Sequence, residues 1–513
     1  MKFHTGHAYN AFDNIIKIFE EKLGHSIGSF SYFDSLTVHE RLIQRIIEIT
    51  FPSYVGYYKE RINNRETPST SSVNIYHLNG LTLNLEKGRI NLSASLFLRS
   101  FVEFSYEWLK ILFSILIGFK TLLSKYREPA TLIYGLGSEA TCHNGSDKRF
   151  KDFCQKGPIT PLNTAKWLIV QNKYRPFIYN DKYNIQYASC PIATLVSSGR
   201  LLASDRIGLL ISHFKILMQY IFIIFKCPLM SLLGRDIAFI PAIQVYDKQK
   251  QIENIIITNS NYYRQPLWMR EPKNRKFRVH EVLYSQNTKP FVYAQDKLKS
   301  DSPALRHITV DEHWVWTEGY KSYLEGLGQK GLIHVVGSIM FYLPDNLSTY
   351  KSSEINIGIF DVTPVYPYVA DKLGIINNYH STDTMIGFLS DIIVVCKKLE
   401  DKSGKKIKVQ LKHKRYFHES HDIEYFNYCK NLEDSGDIEV IDYDVNVYQF
   451  VKSCSIVVSI PYTSAAYIAC EMGVSSLYYD CTNELKPTFE SLDKLCMASD
   501  VVDLKNKICE VIC

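Results

Sequence analysis

Apolar runs bounded by polar turns recur through the last third of the chain and predict β-strands that alternate with helices. The runs lie at 355–360, 406–411, 438–441 and 456–458, and apolar positions at helical spacing fill the segments between them, as at 381–399. Strands alternating with helices are typical of a parallel sheet that is covered on both faces. We therefore predict a doubly wound α/β domain in this part of the chain.

The earlier part of the chain repeats this pattern less regularly. Strand-like runs end in turn residues at 131–134, 167–170, 254–258, 277–284 and 313–316. Helical segments separate most of these runs, so a second, mostly parallel sheet is expected.

A polar stretch around residue 345 separates the two patterns and contains Pro344. Such stretches are typical of domain boundaries. We predict an α/β protein of two Rossmann-like domains, 1–345 and 346–513, with extra helices in the first.

Two apolar stretches, 109–123 and 209–233, are flanked by lysines. Neither reaches the roughly 20 uninterrupted apolar residues that a membrane-spanning helix needs. Two interpretations stay open: interfacial helices at the cytoplasmic leaflet, or buried helices of a large domain, which we prefer. Because the N-terminus lacks the apolar core of a secretory signal, we expect a cytoplasmic protein, with peripheral contact at the inner face of the plasma membrane as the open question.

The amino-acid composition argues against several classes of function. The 513 residues are 46% hydrophobic and 22% charged, with a net charge of +6 and no dense Lys/Arg block interleaved with aromatics, which argues against nucleic-acid binding. The 12 cysteines include no CxxC pair. A zinc finger or ribbon is therefore not expected, and the thiols are expected to be reduced.

Candidate chemistry is concentrated at the turn that follows the run 456–458. Thr463 and Ser464 stand where the next helix should begin, and helix N-termini favour anions, most often phosphate. The alternative is that the two hydroxyls only cap the helix.

A basic segment follows another strand of the same predicted sheet and consists of Lys412, His413, Lys414 and Arg415. Carboxyl ends of parallel strands meet at one edge of a sheet, so this segment and the turn at 460–464 should form one diphosphate or phosphodiester site. A solvated charge run is the alternative for the basic segment alone.

These segments resemble the bacterial polysaccharide biosynthesis PFTS-motif proteins. IPYTSAA at 460–466 stands in the place of PFTS, with Tyr462 for phenylalanine, and WVWTEGY, LKHKR at 411–415 and YYD at 478–480 are similar too. The resemblance covers roughly residues 250–485. It implies a glycosyltransferase of capsule or O-antigen assembly with the GT-B arrangement, in which an acceptor-side N-terminal domain and a nucleotide-sugar-binding C-terminal domain face a cleft.

More distantly, the second half is similar to bacterial sialyltransferases and Kdo transferases, which use CMP-activated ulosonic acids. His413 would occupy the position of their His-Pro motif, with Lys414 in place of the proline, and Thr463 and Ser464 would match their hydroxyl pair. This implies a CMP-sugar donor and a glycan or glycolipid acceptor. Because no clear DxD pair lies in a suitable loop, no metal or other cofactor is expected to be required. The expected nucleotide-binding residues are Lys412, Lys414, Arg415, Ser459, Tyr462, Thr463, Ser464 and Asp480.

Transfer of a sugar needs donors aimed at the departing phosphate and a base for the acceptor hydroxyl. His413 is predicted to be the general acid or phosphate donor. The candidate bases are Glu318, Glu281 and Asp361. Glu318 ranks first because its TEG segment is similar to the short acidic-Gly motif of sialyltransferases, whereas the alternative for Glu281 is a solvent-facing position on a strand.

Other functions stay open at this stage. A UDP-sugar epimerase of GT-B fold would have the same phosphate loops. A CDP-polyol phosphotransferase would use paired histidines, a role for which His280 and His413 are available. A non-enzymatic scaffold at the membrane would leave the convergence of the two loops unexplained.

Overall fold

The structure is a computed structural model that describes residues 37–38, 40–46, 48–49, 70–76, 80–85, 88–92, 94–120, 128–136, 153–154, 157–171, 185–226, 228–258, 265–270, 275–285, 305, 308–339, 354–372, 379–413, 417–443, 445–487 and 495–512. They form two parallel sheets flanked by helices and one small antiparallel sheet. The predicted α/β class is confirmed.

The strands of the first half belong to two sheets. The antiparallel sheet consists of β1 (Thr70–Tyr76), β2 (Gly80–Leu85) and β3 (Gly88–Leu92). The parallel sheet consists of β4 (Ala130–Tyr134), β5 (Leu168–Gln171), β6 (Ile185–Ala188), β7 (Ile252–Thr258), β8 (Arg278–Val282), β9 (Glu312–Val315) and β10 (Leu332–Val335). Its order is β10-β9-β8-β7-β4-β5-β6, so the direction of winding reverses between β4 and β7.

Helices cover this larger sheet because its central strands are apolar on both faces. They are α1 (Ala94–Lys120), α2 (Thr160–Asn163), α3 (Pro191–Ser197), α4 (Ala203–Lys226), α5 (Gly234–Lys248) and α6 (Glu318–Gly326). Almost all of α5 is buried, and α1 and α4 pack against it to complete one hydrophobic core.

Helices α1 and α4 pack side by side in antiparallel directions. Near the middle of both, the Trp108 indole donates to the carbonyl of His213 at 2.8 Å. Toward one end, the rings of Phe104 and Tyr220 lie 3.9 Å apart, and at the other end Arg206 donates to the carbonyl of Gly118. The helices are therefore locked together along most of their length.

Each of these two helices buries only one face. Large apolar side chains remain exposed on the other face of both, for example Phe113 of α1 and Met218 of α4. The prediction that the two apolar stretches are buried helices is therefore wrong for their outer faces. By length and composition alone, Ala203–Phe225 and Leu229–Lys248 could each cross a membrane, and 22% of the first and 83% of the second are buried.

The second half forms a six-stranded parallel sheet, and four of its strands, β11 to β14, agree with the predicted runs to within one residue at each end. They are β11 (Ile355–Phe360), β12 (Ile407–Lys412), β13 (Glu439–Ile441), β14 (Ile456–Ser459), β15 (Ser475–Tyr479) and β16 (Leu495–Ala498). The order β13-β12-β11-β14-β15-β16 is that of a doubly wound Rossmann sheet.

Six helices accompany this sheet: α7 (Pro367–Lys372), α8 (Thr382–Ser403), α9 (Ile423–Asp434), α10 (Val447–Ser453), α11 (Ser464–Glu471) and α12 (Val501–Ile512). Central strand β11 packs closely against the end of α10, since a Cβ atom on Gly358 would lie 2.4 Å from the Cys454 sulfur. Only glycine permits this approach, which holds the centre of the sheet in place.

The two domains meet at the ends of their strands. Just past β8, Ser285 accepts from the Ser464 hydroxyl at the start of α11, at 3.3 Å. At the other end of α11, the Glu471 carboxylate accepts from the backbone N–H of Ser338 at 2.8 Å. Two Rossmann-like domains facing each other across these contacts confirm the GT-B-like fold. The predicted boundary near residue 345 lies outside the described residues.

Candidate functional site

The candidate site lies where the winding of the C-terminal sheet reverses, between β11 and β14. Phe360 at the end of β11 pairs with Lys412 of β12 on one side and with Ser459 of β14 on the other. The ends of β12, β11 and β14 therefore lie next to one another at one edge of the sheet. Ligands of open α/β sheets bind at this reversal point, and His413 and the turn at 460–464 flank it.

A histidine–carboxylate–tyrosine cluster occupies the centre of this edge. His413 donates from Nδ1 to Oδ2 of Asp361 at 2.7 Å, and the Tyr425 hydroxyl donates to the same oxygen, also at 2.7 Å. The Asp361 side chain is fully buried, whereas the His413 side chain keeps 16% of its surface exposed. Asp361 thus fixes the imidazole while one edge of the ring stays accessible.

The electrostatic environment keeps His413 protonated to higher pH than an ordinary histidine. Burial by itself lowers the pKa of His413, but the charge and hydrogen bond of Asp361 raise it, and the net shift of the pKa is upward. With Nδ1–H directed at the carboxylate, Nε2 is the ring nitrogen left to donate to a ligand. The arrangement favours an imidazolium that binds an anionic group of a ligand.

The turn after β14 adopts an unusual backbone conformation. Tyr462 has φ +64°, in the left-handed region that non-glycine residues rarely adopt, and its hydroxyl donates to the carbonyl of Lys486. Thr463 then occupies the N-cap position of α11, but its hydroxyl donates to the carbonyl of Ile460 at 3.1 Å instead of capping the helix. The interpretation of Thr463 as a simple cap is therefore wrong.

The start of α11 points toward the other domain. Ser464 is the first residue of this helix, and its hydroxyl lies 3.3 Å from that of Ser285. The N-terminal N–H groups of a helix favour an anion. The start of α11 and His413 lie on either side of the end of β11, and both offer hydrogen-bond donors to a ligand there.

The predicted phosphate role of Lys412 needs correction. Its ammonium donates to the carbonyls of Asp442 at 3.0 Å and Tyr443 at 2.9 Å, and the residue is buried. Lys412 therefore anchors the loop after β13. Lys414 and Arg415 lie outside the described residues, so their predicted contact with a ligand stays a prediction.

Asp480 also has a structural role rather than the predicted one in nucleotide binding. Its fully buried carboxylate accepts from the Tyr379 hydroxyl at 2.6 Å, from the Thr482 N–H at 3.0 Å and hydroxyl at 2.7 Å, and from the N–H groups of Glu484 and Leu485 at 2.8 Å each. These bonds occupy both oxygens and shape the loop after β15.

Ser459 is buried inside the sheet. It is fully enclosed at the end of β14, and among the described residues its hydroxyl has no hydrogen-bond partner. The prediction that Ser459 touches a nucleotide is therefore not supported by its position, since backbone and side chains enclose it on every side.

The three candidate bases occupy very different environments. Glu318 begins α6 and is 71% exposed, 3.7 Å from the ammonium of Lys321. Asp361 holds His413, so it is a positioning group in this arrangement rather than a base across the cleft. Glu281 lies fully buried within β8 and accepts from His313 at 2.7 Å, so both its predicted role as base and the solvent-facing alternative are wrong.

His280 cannot be the partner of His413 that the paired-histidine alternative requires. His280 is buried in β8, where Nε2 donates to Asn254 at 3.0 Å and Nδ1 accepts from Trp314 at 3.5 Å. Burial lowers the pKa of His280 to about 4, so the ring is neutral near pH 7. It lies within its own sheet and cannot share a substrate with His413.

Two residues of the site are not predicted from the sequence, because nothing in the sequence around them indicates their role. Tyr425 reaches Asp361 from α9, and Ser285 reaches Ser464 from the other domain. Ser285 does stand in a loop directly after a strand, which is where ligand contacts occur in such sheets. Within the part of the chain that the structure describes, no three His, Cys, Asp or Glu side chains group as metal ligands do.

Comparison with known proteins gives one family and several distant folds. The family model described as "Polysaccharide biosynthesis PFTS motif protein" matches residues 218–508. No curated protein matches the chain.

Among solved structures, a mutant of S. aureus TarM in complex with Fondaparinux, alpha-GlcNAc-glycerol and UDP is similar with 10% identity and a TM-score of 0.34, over 55% of this chain and 52% of that one. The chain thus spans about half the length of TarM. The wall teichoic acid polymerase TagF is similar with 9% identity and a TM-score of 0.38, over 81% of this chain and 88% of that one. The Methanocaldococcus jannaschii UDP-GlcNAc 2-epimerase with UDP-GlcNAc and UDP shows 12% identity and a TM-score of 0.34, over 55% and 74%.

Proposed function

This chain belongs to the polysaccharide biosynthesis PFTS motif protein family, and we propose that it is a nucleotide-sugar-dependent glycosyltransferase of bacterial surface polysaccharide. One observation carries the proposal: His413, a histidine with a raised pKa, and the start of α11 follow the two strands that flank β11 at the reversal point of a Rossmann sheet. Such a place suits the phosphate of a departing nucleotide.

The proposed donor is a CMP-activated ulosonic acid of the Kdo or sialic acid type. Support comes from the pair of a histidine and two hydroxyl residues, Thr463 and Ser464, which the distantly similar sialyltransferases and Kdo transferases also have. Among the described residues, the site offers the His413 imidazole, whose pKa is raised, and the N-terminus of α11 as donors to a single phosphate. Lys414, in place of proline, makes the donor the first point to test.

In the proposed reaction, the bond between the anomeric carbon and the phosphate oxygen breaks, and its electron pair leaves with CMP. Nε2–H of His413 donates to that phosphate and stabilises the charge that develops on it, while the N–H groups at the start of α11 contribute further donors. Asp361 keeps the imidazole oriented and protonated throughout.

The acceptor hydroxyl attacks the anomeric carbon and must lose a proton. Glu318 is the proposed base because it is solvent-accessible and follows β9, which pairs with the β8 strand that leads to Ser285. The proposed acceptor, a growing glycan or glycolipid of capsule or lipopolysaccharide type, would then bind on the side of the N-terminal domain. The proposed location is the cytoplasm, at the inner face of the plasma membrane.

A thermal-shift screen of the full-length protein against CMP, CDP, UDP and GDP tests this function. A nucleotide at about 100 times its dissociation constant should stabilise the fold by about 2.7 kcal/mol. We expect CMP to raise the melting temperature, and His413→Ala and Ser464→Ala to remove most of that rise. Ser435→Ala, an exposed serine after α9 in the same domain, is the matched control and should respond as the wild type does.

The other outcomes separate the alternatives. Stabilisation by UDP or GDP alone would keep a glycosyltransferase or epimerase but reject the CMP-sugar donor, and stabilisation by CDP alone would favour a polyol phosphotransferase. If no nucleotide stabilises the protein, the proposed function fails.

A further inference from the structure

The outer face of α1 is apolar along its whole length. Exposed side chains recur there every three or four residues, which is the spacing of one helix face. They are Leu98, Val102, Tyr106, Leu109, Phe113 and Leu116. A helix on the surface of a soluble domain would present charged and polar side chains on this face.

Helix α4 repeats the pattern beside it. Its exposed large side chains are Ile207, Ile211, Phe214, Met218, Phe222 and Phe225. Because the two helices pack in antiparallel directions through Trp108 and His213, the two apolar stripes lie next to each other. We call this combined surface the α1–α4 face.

The size of the α1–α4 face exceeds what a soluble protein normally exposes. The exposed side chains run from Leu98 to Leu116 on α1 and from Ile207 to Phe225 on α4, so the face is about 27 Å long at 1.5 Å per residue. Apolar patches of this extent mark a surface that is covered in the functional state.

The charges around the α1–α4 face are mainly basic. Lys120 ends α1, and Lys215 is exposed on α4. The α1 carboxylates are engaged within their own helix, since Glu107 is buried against Lys110 at 2.6 Å and Glu103 binds Arg99 at 3.1 Å, and α4 adds one half-buried carboxylate, Asp205, in its first turn. A binding partner that covers the apolar side chains and pairs with the lysines should therefore contain both apolar chains and negatively charged groups.

We propose that the α1–α4 face binds the surface of an anionic phospholipid bilayer, with both helices lying in the plane of the membrane. Acyl chains would cover the apolar side chains, and headgroup phosphates would pair with Lys120 and Lys215. This inference rests on the surface alone and does not depend on the proposed reaction.

The inner sides of the helices exclude a membrane-crossing arrangement. Arg206 is buried and donates to the carbonyls of Leu201, Gly118 and Gly199, and His213 is fully buried against Trp108. These side chains hold α1 and α4 in the core of the N-terminal domain. Only the outer face is available to lipid, as in an interfacial helix.

A second copy of the chain is the competing occupant, and the charges favour lipid over it. A copy would bring its own Lys120 and Lys215 to the contact, and the carboxylates of both α1 helices are already paired. A bilayer that contains phosphatidylglycerol supplies the missing negative groups.

Vesicle flotation of the full-length protein without nucleotide tests the proposal. We expect it to float with vesicles of phosphatidylcholine and phosphatidylglycerol, and less with phosphatidylcholine alone. Phe113→Glu and Met218→Glu should each reduce the partition coefficient roughly tenfold or more, because each removes a large apolar side chain from the lipid. Lys215→Ala should weaken binding about fivefold, only with the anionic vesicles and less at high salt.

Val502→Glu is the matched control, because Val502 on α12 is as exposed as Met218, at 69% against 67%. It should float like the wild type. Circular dichroism confirms that each variant is folded. A protein that stays unbound with all vesicles overturns the proposal, and a dimer in light scattering that Met218→Glu converts to a monomer assigns the face to a second copy instead. Nucleotide stabilisation, measured separately, is unchanged in either case.

Discussion

Two histidine–carboxylate pairs with the same 2.7 Å separation occur in this molecule, one in each domain. In the C-terminal domain, His413 and Asp361 follow the ends of neighbouring strands, and part of the imidazole is exposed. In the N-terminal domain, His313 and Glu281 lie opposite each other inside β9 and β8, and both are fully enclosed.

The two pairs differ in their further hydrogen bonds and in their exposure to solvent. Asp361 accepts a further hydrogen bond from Tyr425, and His413 keeps an accessible ring edge. By contrast, Oε1 of Glu281 and Nε2 of His313 are buried and have no hydrogen-bond partner among the described residues. The same pair geometry therefore leaves a ring edge accessible at a strand end, whereas it is fully enclosed within a strand.

The largest expected effect is on turnover in the exposed pair. His413→Ala should lower the rate of nucleotide release from the donor sugar by about 100- to 10,000-fold, because a positioned acid or donor contributes that much. His313→Ala, measured well below its melting temperature, should leave the rate near that of the wild type. Equal losses in both variants would contradict the distinction between the pairs.

The buried pair should dominate stability. Glu281→Ala leaves His313 enclosed without its partner, and breaking a buried pair costs about 3–5 kcal/mol of unfolding free energy. Urea denaturation measures this loss, and Glu253→Ala on the exposed side of β7 serves as the control. A loss below about 1 kcal/mol, the range of surface ion pairs, would show that the pair is not closed to water.

The pH dependence of nucleotide binding should distinguish the exposed pair further. Asp361 raises the pKa of His413, so binding should be strongest at low pH and weaken as the pH rises through that raised pKa. The stability that the pair contributes follows the same sign: it is complete below the ordinary histidine pKa and is lost as the pH passes the raised one. Asp361→Asn should move the binding midpoint to lower pH, in calorimetric titrations across the pH range. An unmoved midpoint would assign the titration to another group.

The smallest effect is expected from Tyr425→Phe. Removing the hydroxyl takes one donor from the Asp361 carboxylate, which then favours the imidazolium more strongly. The midpoint of nucleotide binding should rise slightly, with a stability loss of about 1.5–3 kcal/mol, typical of a hydrogen bond to a charged group. A downward shift of the midpoint would show that Tyr425 acts on His413 in some other way.

The sheet of the C-terminal domain was predictable because its strands are short, apolar and bounded by turns. Each of the runs at 355–360 and 456–458 fills a buried strand, and their order along the chain predicts that the loops after them share an edge. The convergence of His413 and the turn at 460–464 follows from that order alone.

Strand neighbours and long-range partners were not predictable in the same way. Asp361 was expected across the cleft as a base, yet the pairing of β11 with β12 places it against His413. Lys412 and Asp480 have the residue types of ligand contacts, but their partners are backbone groups of neighbouring loops. Only the three-dimensional structure shows which polar side chains form hydrogen bonds within the fold and are therefore not available to a ligand.

The apolar helices illustrate a different limit. Hydrophobic residues on nearly every side of 209–233 are typical of a buried helix, and sequence periodicity cannot distinguish a protein core from lipid as the surrounding medium. The exposed stripe on α4 becomes apparent only in the structure, which shows Tyr220 and the rest of the inner face of α4 packed in the core.

Helix α11 touches the N-terminal domain at both of its ends. Ser464 meets Ser285 at the first residue, and Glu471 holds the N–H of Ser338 at the last. Its eight residues make a stiff rod about 12 Å long. Because a single stiff helix carries both contacts, the Ser464 and Glu471 ends cannot change their positions against the N-terminal domain independently of each other.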